Sequence, residues 1–341
     1  MKIAISIGSA ENRDVREILD FILLAEKLGV DSAWSAEGWG TDAITSLAYL
    51  APLTKKIKLG SGILQISARV PAMAAMSALS LNTLSNGRFL LGLGVSGPQV
   101  VEGLHGSSFA GPLTRLKEYV EICRLAFAHE KLMYKGKYHE LPRPNGEGKA
   151  LRLDHQAADI PIYLATISPK ALEYTGTSAD GWLGTSFSPE HAEAHLNFIR
   201  KGLASAGRSE NDIDLQVGCP VELSNDIEPL IEARKMNIAF SMGAMGSENT
   251  NFYNLAYQRA GFEDDAKAIQ QLWLDGKRDE AVKRVPSAMV TEFGAYGDEE
   301  TVRARFESYA AVGINTLQLR LDLGPNKKHF EQLEQLMELV P

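Results

Sequence analysis

A chain of 341 residues with 45% hydrophobic and 23% charged side chains has the composition of an ordinary globular protein and is long enough to bury one large core. Its net charge of -8, with no run of lysines or arginines, excludes a nucleic-acid or acidic-membrane surface as the main partner. No stretch approaches the ~18 apolar residues of a membrane helix, and the N-terminal apolar stretch is too short for a signal peptide, so a cytoplasmic protein with no membrane partner is expected.

In chain order, residues 2–7 alternate as a first strand ending at Gly8-Ser9, and Asp14 and Glu17 are spaced for a capping box. Val15, Ile18, Leu19, Ile22 and Leu23 recur at helical spacing, with Gly29 at the C′ position. A second strand spans 31–36. Its exit, Glu37-Gly38-Trp39-Gly40, precedes a helix that Thr41 or Asp42 can cap. Strands at 57–63, 88–95, 160–165, 181–185, 213–221 and 314–321 follow, separated by helices at 71–84, 112–129, 168–178, 189–206, 227–240 and 298–312. The run Val312-Gly313-Ile314-Asn315 echoes Leu28-Gly29-Val30-Asp31, a helix end, a left-handed glycine and a buried strand. Eight strands alternating with helices predict an α/β fold, a (β/α)8 TIM barrel forming a single domain over 1–341. Two stretches interrupt the alternation: an extended polar loop at about 131–158, with or without a hairpin, and a helical insertion at about 243–293 that is either a lid or a dimer contact.

The chemistry concentrates at strand exits. The third strand ends in Gly60-Ser61-Gly62-Ile63 and then presents Gln65 and Arg69 before Pro71 opens a helix. The fourth runs into Gly92, Gly94, Val95, Ser96 and Gly97. Glycine at both exits lets a planar ligand lie against bare backbone. Residues 92–97 match GxGxxG formally, but a dinucleotide fingerprint needs a helix at the glycines and a parallel strand soon after. Here Pro98 follows, the next expected helix opens near Pro112 and the next strand near Ile160, so a nicotinamide site is rejected. At 165–170 a buried strand feeds a helix with Ser168 as N-cap and Pro169 at the first helical position; its backbone N–H groups suit an anion, or simply a well-capped helix. Glu37 reads as a catalytic or a solvated loop carboxylate, and Trp39 as a rim aromatic. His105, in a glycine-rich loop, takes no role. The two cysteines, Cys123 and Cys219, stand far apart and read as structural thiols. No His, Cys and carboxylate grouping has metal-ligand spacing, so no metal is expected.

Taken together, EGWGTDA at 37–43, LGSGILQ at 59–65, SNGRFLLGLGVSGPQVVEG at 85–103 and PIYLATISPKALEYTGTSADGW at 161–182 resemble the bacterial-luciferase-like superfamily, and within it the coenzyme F420-dependent oxidoreductases. The resemblance implies a (β/α)8 barrel holding F420, or alternatively FMN, at its C-terminal mouth. It maps a non-prolyl cis peptide behind the tricyclic ring onto Gly62-Ile63, and a phosphate loop onto Ala165, Thr166, Ile167 and Ser168. Gln65, Val95, Ser96 and Gly97 would border the ring. Glu37 would position its polar edge or relay a proton, and Trp39 would shape the substrate side. Some relatives carry a catalytic histidine where this chain has Gly38, which argues against the sugar-phosphate dehydrogenases. The implied reaction is hydride transfer between the deazaflavin and a small organic substrate, in a homo-oligomer. The alternative readings are an FMN-dependent luciferase-like monooxygenase and a non-catalytic flavin-binding protein.

Overall fold

The computed structural model describes residues 1–7, 15–246, 251–323 and 328–341. Within them the eight expected strands are β1 (Lys2–Ser6), β2 (Ser32–Ser35), β3 (Lys58–Ser61), β4 (Phe89–Gly94), β5 (Ile162–Ala165), β6 (Gly181–Gly184), β7 (Asp214–Leu223) and β8 (Thr316–Arg320). Each is followed by helix: α1 (Val15–Lys27), α2 (Ala43–Leu50), α3 (Pro71–Leu84), α4 (Pro112–Phe127), α5 (Pro169–Ser178), α6 (Glu193–Ser205) and α7 (Glu228–Gly243) after β1 to β7 in turn. Beyond α7 come α8 (Phe252–Tyr257), α9 (Glu263–Leu274), α10 (Arg278–Arg284), α11 (Ser287–Thr291) and α12 (Glu299–Ala311), and α13 (Lys328–Met337) follows β8. This is the (β/α)8 fold. The strand exit at Gly8-Ser9 and the capping position Asp14 lie outside the described residues.

Two compact units make up the chain. In the unit Ile7–Ala165, β2, β3, β4 and β5 pair in that order, all parallel. In the unit of Met1–Ser6 with Thr166–Pro341, β6, β7, β8 and β1 pair in that order, again all parallel. The strands bury one apolar row against helices: Ile3 and Ile5 in β1, Leu215, Val217, Cys219 and Val221 in β7, and Leu317 and Leu319 in β8. Gly29 and Gly313 adopt φ of +86° and +97°, so the left-handed helix ends read from the sequence are present at both places.

At the N-terminal ends of β3 and β4, two charged side chains close the loop after α2. Glu26 Oε1 accepts hydrogen bonds from the N–H groups of Lys55, Lys56 and Ile57 at 2.8, 2.6 and 3.0 Å. Arg88 donates to the carbonyls of Ala51, Thr54 and Ile57 and to Thr54 Oγ1. Charge-assisted bonds of this kind satisfy backbone groups that no strand or helix uses.

The structure departs from the sequence pattern in four places. β3 stops at Ser61, the Gly62–Ile63 peptide that follows is cis, and the chain resumes as a short strand, Leu64–Gln65, beside Leu93 and Gly94 of β4. A π-helical turn covers Gln99–Leu104, where a loop was expected. Ala295–Gly297 adds a short strand parallel to the end of β7, and α13 closes the described chain. The 131–158 loop, by contrast, contains the hairpin that the sequence allowed for, Tyr134–Lys135 antiparallel to Glu140–Leu141. The Glu118 carboxylate of α4 holds it by accepting from the N–H groups of Lys137, Tyr138 and His139. Across 243–293, helices α8 to α11 and the end of α7 share a core that includes Met242, Tyr257, Ile269, Met289 and Phe293.

Cys123 and Cys219 are both fully buried, and burial pushes each thiol up to about 12. No helix among the described residues is long and apolar enough to cross a membrane, and no group of His, Cys, Asp and Glu among them could hold a metal ion.

His195 of α6 is 1% exposed, and neither ring nitrogen has a hydrogen-bond partner. Its ring lies against Trp182 and Phe187, with centroids 5.7 and 5.9 Å away. Burial, aided by the charge of Arg259, lowers its pKa to about 3, so the folded protein holds it neutral. The unfolded chain takes up that proton near pH ~6.5. Stability from this residue is therefore complete above the unfolded value and is lost as pH falls towards the folded one, at about 1.4 kcal/mol per pH unit. Urea unfolding from pH 7 to pH 4 should show this acid loss, and His195→Leu should flatten it; an unchanged pH slope would mean that His195 is not the group responsible.

Candidate active site

In the unit Ile7–Ala165, the exits of β2, β3 and β4 are tied together by polar side chains. Ser61 makes the first tie: its Oγ donates to the Gly92 carbonyl at 3.0 Å and accepts from the Gly92 N–H at 2.9 Å, so β3 and β4 stay joined where the cis peptide interrupts their ladder. On the other side, the Gly62 N–H bonds the Ser35 carbonyl at 2.7 Å, and the Glu37 N–H bonds the Ile63 carbonyl at 3.3 Å.

Glu37 makes the second tie. Its carboxylate side chain is only 7% exposed and meets the Arg69 guanidinium at 2.6 and 2.8 Å. It also accepts from the N–H groups of Gln65 at 3.2 Å and Ala43 at 3.4 Å. It is therefore not a solvated loop carboxylate. A charge this far out of water is held only by an opposite charge and several donors, and Glu37 has both. Asp42 caps α2 through the Thr45 N–H and lies 3.9 Å from Arg69.

Gln65 is the third tie. Only 2% exposed, it donates its amide to the carbonyls of Glu37 and Gly38 at 3.1 and 3.2 Å, and its Oε1 faces His105 Nε2 at 3.1 Å. Its side chain is thus committed to bracing the strand exits, and His105, which takes no role in the sequence reading, is part of that brace. Arg69 was visible at the exit of β3, but only the folded chain shows that it is the counter-ion of Glu37.

The surface these ties support is bare backbone and apolar side chain. A Cβ on Gly94 would come within 2.3 Å of Ile63 Cδ1, so the absence of a side chain at 94 lets Ile63 lie across the end of β4. Ser96 adopts φ of +58°, turning the chain sharply at the Val95-Ser96-Gly97 exit. Trp39, 65% exposed, has an open indole. A cavity of 270 Å³ opens beside these exits, walled by Arg69, Val95, Val101, Phe109 and Arg115.

In the other unit, the loop after β5 turns its side chains inward. Thr166 Oγ1 lies 2.6 Å from Thr175 Oγ1, and the Thr166 carbonyl accepts from Trp182 Nε1 at 3.0 Å. Ser168 is the N-cap of α5 and Pro169 its first residue, but the serine side chain makes no capping bond. The N–H groups of Ile167 and Ser168 have no hydrogen-bond partner among the described residues. Two free donors at a helix N-terminus suit a phosphate. Arg259, from the 243–293 stretch, donates to the Ile167 carbonyl at 2.7 Å and brings a positive charge to this loop. No sequence signal marked it, because its partner is 92 residues away.

The bare strand exits of one unit suit a flat ring, and the backbone donors in the other suit a phosphate. The profile of the luciferase-like monooxygenase family matches residues 2–316. A Mycobacterium tuberculosis protein named as a coenzyme F420-dependent oxidoreductase is 35% identical over 326 residues, 93% of this chain and 94% of its own. The 5,10-methylenetetrahydromethanopterin reductase of Methanolobus tindarius is 29% identical, covering 92% and 93%. The solved structure of the coenzyme F420-dependent tetrahydromethanopterin reductase of Methanopyrus kandleri superposes with a TM-score of 0.80 at 25% identity, over 99% of this chain and 98% of that one. On this family match and this identity the chain belongs to the luciferase-like family, in its coenzyme F420-dependent branch.

Proposed function

We propose that this protein is an F420-dependent oxidoreductase that transfers a hydride between the deazaflavin and a small organic substrate, working as a homo-oligomer in the cytoplasm. The observation that carries the cofactor is the sequence match, over 93% of the chain, to a relative named for F420. When bound, the coenzyme supplies a ring carbon that accepts or donates hydride.

This chain's own residues bind, orient and exclude water. Gly62 and Ile63 back the ring, Val95, Ser96 and Gly97 border it, and Ala165 opens the phosphate loop. Gln65 acts from beneath, since its amide is already used on the Glu37 and Gly38 carbonyls. The free N–H groups of Ile167 and Ser168 hold the phosphate, with Thr166 shaping the turn. Glu37 is a positioning residue: it holds Arg69 and the Gln65 backbone, and through them the height of the ring support. Trp39 covers the substrate side. A fixed platform of this kind contributes mainly by orientation, where displacement of about 1 Å can cost on the order of 100-fold in rate.

The test is a tryptophan-fluorescence titration of the purified protein with F420 and with FMN. Saturable F420 binding and weak FMN binding are expected; the reverse order would move the protein to the FMN-dependent monooxygenases. Glu37→Gln should leave the F420 dissociation constant within about threefold and slow turnover by on the order of tenfold, as the Arg69 pair weakens; turnover equal to wild type would remove the positioning role. Gly94→Ala should push Ile63 off the end of β4 and weaken F420 by about tenfold, and adding Ile63→Val, which removes the clashing methyl, should restore it. Failure of the second change to rescue binding would detach Ile63 from the ring support.

A further inference from the structure

β7 and β8 carry a polar face opposite their apolar one. In register, Gln216 stands beside Thr316, Gly218 beside Gln318 and Pro220 beside Arg320. At the N-terminal end this face is closed, because Thr316 Oγ1 donates to Asp214 at 2.8 Å and Lys2 pairs with Asp214 at 2.9 Å. Further along it is open. Gln216 is 1% exposed, yet its Oε1 and Nε2 have no partner.

Arg320 ends β8. A Cβ on Gly218 would lie 2.5 Å from its Cζ, Nε and Nη2, so the guanidinium rests flat on the glycine of the neighbouring strand. No hydrogen bond or ion pair reaches that guanidinium among the described residues. Other arginines of the same unit are matched, Arg305 with Glu190 and Arg284 with Asp265. The phenols of Tyr253 and Tyr257 are among the groups that act on its charge, and packing against the surrounding protein lowers it from the ordinary arginine value, while the residue as a whole is exposed to solvent. Arg320 is therefore an exposed cation at the end of β8, laid on Gly218 with its planar donor edge unused. A guanidinium held in one orientation is a ready partner for a planar anion.

We propose that Arg320, laid over Gly218 at the C-terminal ends of β7 and β8, is the subsite for a carboxylate of the organic substrate, which makes that substrate a small carboxylic acid. Two arguments select a carboxylate. One guanidinium balances one negative charge, whereas a phosphate dianion calls for more cations than this face offers. Its fork also matches two carboxylate oxygens in one plane. The position fits a substrate group, since barrel enzymes build their sites at the C-terminal ends of strands. The word substrate rests on the F420-dependent reading above; the anion site does not.

The test uses benzoate as the probe and benzamide as its neutral isostere, titrated calorimetrically into wild type, Arg320→Met and Arg320→Lys, with and without F420. Expected are millimolar benzoate binding to wild type, benzamide binding weaker by about tenfold, and loss of about tenfold in benzoate affinity in Arg320→Met with partial recovery in Arg320→Lys. F420 affinity should stay within about twofold in both variants. Thermal melts of the variants verify folding, and the lysine variant keeps the charge if the methionine one misfolds. Equal benzoate binding by wild type and Arg320→Met, or no saturable binding by wild type, would overturn the proposal. So would a matching loss of F420 affinity, which would assign Arg320 to the cofactor. If wild type takes benzoate through Arg320 but not F420, the cofactor reading fails and the carboxylate site stands.

Discussion

One buried negative charge holds the exits of β2 and β3 in place. The Glu37 carboxylate leaves β2, receives the Arg69 guanidinium and the N–H groups of Gln65 and Ala43, and so joins three segments that are apart in sequence. Taken out of water without these partners it would be destabilising by several kcal/mol, so the partners and the loop geometry they impose are required together. Gln65 then fixes the carbonyls on either side of the same turn and takes His105 as its own support. The Gly62–Ile63 bulge is thus enclosed by hydrogen bonds on all the strands it borders in that unit.

The two ends of these strands use charge differently. At the N-terminal ends, Glu26 and Arg88 spend their hydrogen bonds on backbone groups of one loop, which stabilises the fold and exposes nothing. At the C-terminal ends, the charged groups brace a surface of glycines and small side chains that is left for something else to cover. This division matches the general separation in barrel enzymes between a stabilising face and a reactive one.

The alternation of apolar residues made the eight strands legible, because each needs a buried row, and Gly29 and Gly313 marked two of the strand starts by backbone sterics alone. Asp42 as a cap followed from the same local chemistry. What could not be read depended on partners distant in sequence. The pairing of Arg69 with Glu37, the use of His105 and the reach of Arg259 to Ile167 exist only once loops meet. The short strand Ala295–Gly297 forms because the end of β7 runs on beyond its other neighbours and offers an edge. The cis peptide came from resemblance; nothing in the residues Gly-Ile requires it. Pattern therefore led to the strand-exit loops, while the division between groups that support and groups that remain available came from the folded chain.

The two cysteines have a practical meaning beyond their place in the core. Each thiol is enclosed, and each is held about three to four pH units above the value of a free cysteine, so the reactive thiolate is scarce in the native state. Alkylating reagents can then reach them only through molecules that have opened, one cysteine reporting on each compact unit. Labelling rates at Cys123 and Cys219 form a pair of internal clocks. Their ratio tells whether the two halves of the chain open together or one before the other.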